Sequence, residues 1–442
     1  MHDPRGDLTR KRPSANCVSE TTLAHEQMKT RSLLSATRPV VLASATRLRA
    51  MSGSSTRLER RRRPQILQHD PGRRSASAFG VLVADKTPVP ADVEIASRLL
   101  RAFRAATKDR TAAKSSTRED VWTGITAHQS RFASILGRGD HDELALYLCN
   151  ISRHDAAVGI IQGDVEHTRI TRDRAYRDFL ALMTKDKLVS LAEAVGALAV
   201  ENPEQGAYGV SLHTDPDELV ARISNRLGLD IAPPDVDGGL FKLATNGGLF
   251  GERDVNAIFT AWLLKGILQA RTRARHESAR ICEIGGGSGR VAYWGRRLGL
   301  TSHTIIDLPH VNVVQGYYLL KSFPAEQVVL YGEQSTVGDA ALTIWPNHAI
   351  HELEGREYDL VLNQDSMPEM SRQTVEDYLL WISRACQGLF VSINHESKPP
   401  YGTNLVHVSV PEAIAEIGGF ERQDRYPYWL RKGYVVELYL VT

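Results

Sequence analysis

Cysteine is scarce: the 442 residues include four, Cys17, Cys149, Cys282 and Cys386, with no C-x-x-C pair. This pattern points away from a disulfide framework and toward reduced thiols in a cytoplasmic protein. Long apolar runs are missing as well. None approaches the roughly 18 residues of a membrane span, so no membrane partner is expected. A strong net charge is also lacking. The sum is +2, and it hides an asymmetry: residues 1–90 hold 17 Lys and Arg against 7 Asp and Glu, the remainder 37 against 45. The folded body therefore lacks the basic surplus of a nucleic-acid-binding domain.

What is present suffices for two folded parts with tails. The apolar share is 42%, enough for a sizeable core. Residues 1–88 are rich in Arg, Ser, Ala and Thr and show no sustained periodicity, so they are expected to form a disordered basic extension. Its plainest role is a solvated tail, with Met28 and Met51 as alternative starts; a transit-like peptide or a nucleic-acid arm are the functional alternatives. Residues 89–270 carry helical spacing. Leu99, Leu100 and Phe103 share one face, Trp122, Ile125, Gln129 and Phe132 another, and Asp215-Pro216-Asp217-Glu218 is a capped helix start that runs to Gly228. Residues 231–251, rich in Gly, Pro and Asp, read equally well as a lid or a linker.

From residue 271 to 442 strands alternate with helices, the pattern of a parallel sheet covered on both faces. Its key unit runs from Arg280. A short apolar strand ends in Gly285-Gly286-Gly287-Ser288-Gly289, a helix follows, and a second strand closes on Asp307 and Leu308. A glycine turn lets backbone approach a ligand, and a carboxylate about 20 positions on, at the next strand's tip, suits a ribose diol. The unit thus suits an adenosine-containing cofactor. A dinucleotide fingerprint would require glycine where Arg290 stands.

The spacing Glu283-x-Gly285-x-Gly287-x-Gly289 resembles the first motif of class I S-adenosylmethionine-dependent methyltransferases. HTIIDLPHVNVVQGYYLLKS from His303 and YDLVLNQDSMPEM from Tyr358 resemble more narrowly the sugar O-methyltransferases of bacteria. The likeness covers about residues 280–440. It implies a Rossmann-like α/β domain with a mostly parallel seven-stranded sheet, ended by a hairpin that inserts one antiparallel strand and preceded by a helical region over the substrate. It also implies S-adenosylmethionine as cofactor and a small sugar or glycoside as acceptor. Small-molecule O-methyltransferases for phenols share Asp-Leu-Pro-His but place a histidine-aspartate pair where this chain has Gln364-Asp365, and glutamine cannot take a proton. A phenolic or polyketide acceptor is the enzyme alternative; a binding protein without turnover is the other.

On this basis Glu283, Gly285, Gly287, Gly289, Asp307, Leu308 and Asn363 are expected to hold the cofactor, with Glu333 near its adenine. Loops at the carboxyl edge of an open α/β sheet bind ligands. There His395 is the natural base, and Asp365 or Glu369 would orient it or replace it. Trp345 and Trp381 are candidates for an acceptor pocket, though core positions suit them better. Asp365, Glu369, His395 and Glu396 offer oxygen and nitrogen ligands to magnesium, but no spacing requires a metal, and none is expected.

Overall fold

The computed structural model describes residues 77–112, 121–202, 204, 209–271, 278–397 and 407–442. All belong to one compact unit, Arg49–Thr442. Most of the expected basic extension lies outside the described residues. Its last residues do not: β1 (Gly80–Leu82) pairs with a later strand, which moves the start of the folded body ahead of residue 88.

Among the described residues, seven α-helices and a small sheet make up the first part. They are α1 (Pro90–Ala112), α2 (Val121–His128), α3 (Ser130–Arg138), α4 (His141–Leu148), α5 (Gly163–Arg172), α6 (Arg174–Ala194) and α7 (Pro216–Leu227), then β2 (Phe241–Thr245) and β3 (Gly248–Phe250). The local chemistry accounts for their ends. Asp215 caps α7 by accepting from the Asp217 N–H at 2.8 Å, Pro216 takes the first turn, and Gly228 closes it in left-handed backbone. Residues 231–251 are a folded element of the core: β2 lies between β1 and β3, and Ile231, Val236 and Leu243 are buried. Helix α8 (Glu252–Arg271) then leads to the larger sheet.

That sheet is built from β4 (Arg280–Ile284), β5 (Ser302–Asp307), β6 (Val328–Leu330), β7 (Leu342–Pro346), β8 (Tyr358–Gln364), β9 (Cys386–His395), β10 (Phe420–Pro427) and β11 (Tyr434–Val441). Its helices are α9 (Arg290–Arg297), α10 (Pro309–Ser322), α11 (Arg372–Ala385) and α12 (Val410–Ile417). The strand order is β10-β11-β9-β8-β4-β5-β7-β6, parallel except for β11, which is antiparallel to both its neighbours. The domain is a Rossmann-like α/β fold with the antiparallel insertion that the resemblance implied. Eight strands are described rather than seven. The extra one follows from β7, whose five residues Leu-Thr-Ile-Trp-Pro are a short run ending in proline and followed by a 3-10 helix rather than an α-helix, a weak strand signal by itself. It sits beside β5 and pushes β6 to the edge.

Side chains of the central strands alternate between two buried clusters. Ile281, Leu360 and Leu362 face one side; Cys282, Ile284 and Val361 face the other. The first cluster continues without a break into Leu99 of α1, Leu188 of α6 and Ile258 of α8. Helix α1 lies close against α10, where a Cβ on Gly316 would sit 2.4 Å from Leu99 Cδ2 and the Tyr317 hydroxyl donates to Asp92 at 2.9 Å. The described cysteines, Cys149, Cys282 and Cys386, are buried and unbridged.

A shared core predicts shared unfolding. Leu99→Ala and Leu362→Ala should each cost about 2–5 kcal/mol, read as a shift of one common urea transition; separate transitions for the two variants would mean two independent domains.

Candidate active site

The end of β4 sets the geometry. Gly285 and Gly287 have φ of 76° and 56°, which a side chain would strain. Gly285 donates its N–H to the Ile306 carbonyl at 2.8 Å, and a Cβ on it would lie 2.1 Å from the Ser366 hydroxyl, so only glycine fits between the strands. Gly287 differs: a Cβ there would meet nothing within 4 Å, because this residue forms the bare floor of a cavity. Gly289 lies beyond that floor, packed on Leu319 and Gln315 at the start of α9.

The cavity encloses about 680 Å³ along the carboxyl edge of the sheet. At one end lie Asp307, Leu308, Asn347 and His348 with Tyr378 of α11. Asp307 Oδ1 accepts from the Leu308 N–H at 2.8 Å and Oδ2 from the Gln315 amide at 2.7 Å. Burial pushes its pKa up to about 7, against the pull of those hydrogen bonds.

The other end is lined from the helical part as well as from the sheet: Trp122 and Thr126 of α2, Arg253 of α8, Asp365 and Glu369 after β8, and Arg431 and Tyr434 beside β11. Asp365 is the one non-glycine among the described residues with positive φ, 61°. Its carboxylate is gripped by the Arg431 guanidinium and the Tyr434 hydroxyl, and its N–H donates to Ile393 O at 3.1 Å and Asn394 Oδ1 at 2.9 Å. Burial would raise its pKa, but Arg431 and then Arg253 outweigh that and hold it below the ordinary carboxylate range. Such a group is a fixed anion and a poor base. Glu369 is the opposite case. Burial, reinforced by the charge of Asp365, raises it to about 7, and the Trp122 side chain hydrogen-bonds to it. Two carboxyls thus stand at one site with pKa values driven apart, the arrangement that divides roles between an anchored anion and a proton acceptor.

The remaining sequence candidates are dispersed. His395 is not in the cavity lining; its ring packs on Tyr434 and His407 at centroid distances of 5.6 and 5.0 Å, and burial followed by the nearby His407 lowers its pKa. Glu396 is paired with Arg425 at 2.7 Å. Glu283 is buried on β4 and meets His303 Nε2 at 3.1 Å rather than the cavity. Asn363 ties Ile284 O to its own strand at 2.9 Å and bonds Ser366 at 2.6 Å. Glu333 follows the edge strand β6, where Arg98 grips both its oxygens at 2.7 Å; β7 instead delivers Asn347 and His348 to the cavity. Trp345 and Trp381 are outside the lining, the first bonded to Ala349 O at 3.0 Å and the second buried in the core. Among the described residues no three His, Cys, Asp or Glu side chains gather as a metal would require.

Arg253, Arg431, Tyr434 and Trp122 carried no sequence signal for a site. Trp122 is one apolar residue in a helical stripe, and Arg253 is one charge in the run Glu252-Arg253-Asp254.

Arg290 ties the glycine turn to this cap. Its guanidinium is buried, with Nε 2.7 Å from Asp254 Oδ1, Nη2 2.5 Å from Asp237 Oδ2 and Nη1 2.5 Å from the Ser288 hydroxyl. The same side chain lies 4.6 Å over the Tyr318 ring.

No family model and no curated protein matches the sequence. Among solved structures, a magnesium protoporphyrin IX methyltransferase from Synechocystis with bound S-adenosylmethionine overlaps 43% of this chain and 81% of its own, at 13% identity and TM-score 0.30. A geranyl diphosphate C-methyltransferase from Streptomyces coelicolor overlaps 41% and 76%, at 12% and 0.29. A 1,6-didemethyltoxoflavin-N1-methyltransferase from Burkholderia thailandensis overlaps 42% and 78%, at 18% and 0.29. Overlaps of that size assign no chemistry to this chain.

Arg290→Met would strand Asp237 and Asp254 in the interior without a countercharge. It is expected to cost about 3–5 kcal/mol in urea unfolding, far more than a surface arginine variant; a loss under 1 kcal/mol would mean the three groups do not act together.

Proposed function

We propose that the protein is an S-adenosylmethionine-dependent O-methyltransferase acting on a hydroxyl of a sugar or glycosylated metabolite. One observation carries this: a single cavity joins a bare glycine floor and a ribose-suited carboxylate at one end to a carboxyl with pKa about 7 at the other. Its volume falls within the range of small-molecule sites.

The residues fit the cofactor. Gly287 leaves room for it against backbone, and Asp307 would accept from the ribose hydroxyls while its own two donors hold it in place. Asn347 and His348, at the end of β7, replace Glu333 as the groups nearest the adenine. When bound, the cofactor supplies an electrophilic methyl group on sulfur. Glu369 would take the proton of the acceptor hydroxyl as that oxygen is methylated. A carboxylate tuned near neutrality suits this task, and positioning provides much of the remaining acceleration. Asp365 does not take the proton; it fixes Arg431 and Tyr434 at the acceptor end. His395 has no proton-transfer role in this scheme. The polar acceptor end favours a polyol over a flat phenol.

Titration of S-adenosylmethionine and S-adenosylhomocysteine into the full chain tests the cofactor assignment. Gly287→Arg, which fills the floor, and Asp307→Ala should each weaken binding about 10-fold or more. No binding to folded protein would overturn it.

Glu369 gives a separate test by activity. With an accepted substrate and saturating S-adenosylmethionine, which would hold Asp307 in its bound form, kcat/KM for the acceptor should rise with pH through about 7 as Glu369 loses its proton. Glu369→Gln should lower kcat about 10²–10⁴-fold and remove that rise, whereas His395→Gln should keep it. Retention of the pH rise in Glu369→Gln would assign the base elsewhere.

A further inference from the structure

Arg253 is in an unusual position for a cavity cation. Its side chain is 43% exposed, makes no hydrogen bond among the described residues, and reaches Asp365 only at 3.9 Å. The carboxyls around it already have partners. Asp365 is held by Arg431 and Tyr434, Glu252 pairs with Lys187 at 3.1 Å, and Glu166 accepts from the Tyr176 hydroxyl at 2.8 Å. Glu369, the remaining acidic neighbour, is bonded to Trp122.

Arg431 stands on the other side of Asp365. Its Nη1 is committed there, its Cζ lies 3.8 Å from the Tyr434 ring centroid, and the residue lines the cavity. Two guanidinium groups therefore flank one carboxylate, and Arg253 keeps its donors uncommitted to any protein acceptor among the described residues. A planar or tetrahedral oxyanion meets such a fork with paired hydrogen bonds, as a neutral hydroxyl does not. A purely structural arginine would have spent its donors on backbone or carboxylate, as Arg98 and Arg425 do here.

We propose that Arg253, with the outer edge of Arg431 beside it, binds an anionic oxygen group of the acceptor, so that the substrate is an acidic sugar bearing a carboxylate or a phosphate. This rests on the methyltransferase reading for what the anion is attached to, but not for the anion site itself. Anchoring that group across the cavity from the glycine floor places a neighbouring hydroxyl within the space that Glu369 borders. It gives specificity, because a neutral sugar offers neither guanidinium a charged acceptor for paired hydrogen bonds.

The test is calorimetric titration of the full chain, with and without S-adenosylhomocysteine, using inorganic phosphate, glucuronate, glucose 1-phosphate and glucose. At least one anionic probe should bind, glucose should not, and glucuronate against glucose 1-phosphate distinguishes the two sources of charge. Arg253→Ala should weaken the anion about 10–100-fold and Arg253→Lys less, while Arg138→Ala, a remote surface variant, changes nothing. Glucose binding as well as the anions, or anion affinity unaltered in Arg253→Ala, or no Arg253-dependent binding of any anion, overturns the proposal. Arg253-dependent anion binding in a protein that ignores S-adenosylhomocysteine would keep this site and overturn the methyltransferase reading instead.

Discussion

The buried guanidinium of Arg290, held between Asp237 and Asp254, is the constraint on which the rest of the site depends. It belongs to the first turn of α9, directly after the glycine floor, while its two partners come from the β2 approach and from α8. Burial alone would disfavour its charge, and the two carboxylates more than reverse that. A buried ion group of this kind adds little to stability compared with well-packed apolar residues, but it tolerates very few arrangements. It therefore fixes the register of the cap on the sheet. Arg253 neighbours Asp254 on α8, so the lock that sets the turn also sets where Arg253 meets the cavity.

A second fixed point lies at Asp365. Left-handed backbone at a non-glycine residue is held there by donors to its partners from β9 and by Arg431 and Tyr434 beside β11. The strain is offset by those bonds, and its effect is electrostatic: a permanent anion beside Glu369 raises the proton affinity of the latter. The antiparallel β11 thus does more than complete the sheet. Its first residue, Tyr434, and Arg431 in the turn before it separate the roles of two acidic residues only four positions apart.

Much of the fold was legible because its signals are local. The capped start of α7, the strand before the glycine turn and the alternation after residue 271 depend on residues within a few positions of one another. β7 is the reverse case: Leu-Thr-Ile-Trp-Pro is a weak local signal, and it becomes a strand through pairing with β5 and β6. Because β7 lies between β5 and β6, Glu333 stands at the edge of the sheet, and Asn347 and His348 reach the cavity instead. Likewise the boundary at residue 270 marks a change of pattern, not a break in the core, since Leu99, Ile258 and Leu362 share one cluster.

By itself, the sequence determined that a glycine turn with no room for a dinucleotide pattern follows one strand, and that Asp307 ends the next. Those features are set by backbone conformation and short spacing. Which carboxyl is anchored and which stays poised near neutrality was decided only by the tertiary structure, because pKa follows from burial and from charges brought in from distant segments. Asp365 and Glu369 differ little as sequence. They differ in chemistry because Arg431, 66 residues away, grips one of them, and Trp122, from a helix in the cap, meets the other.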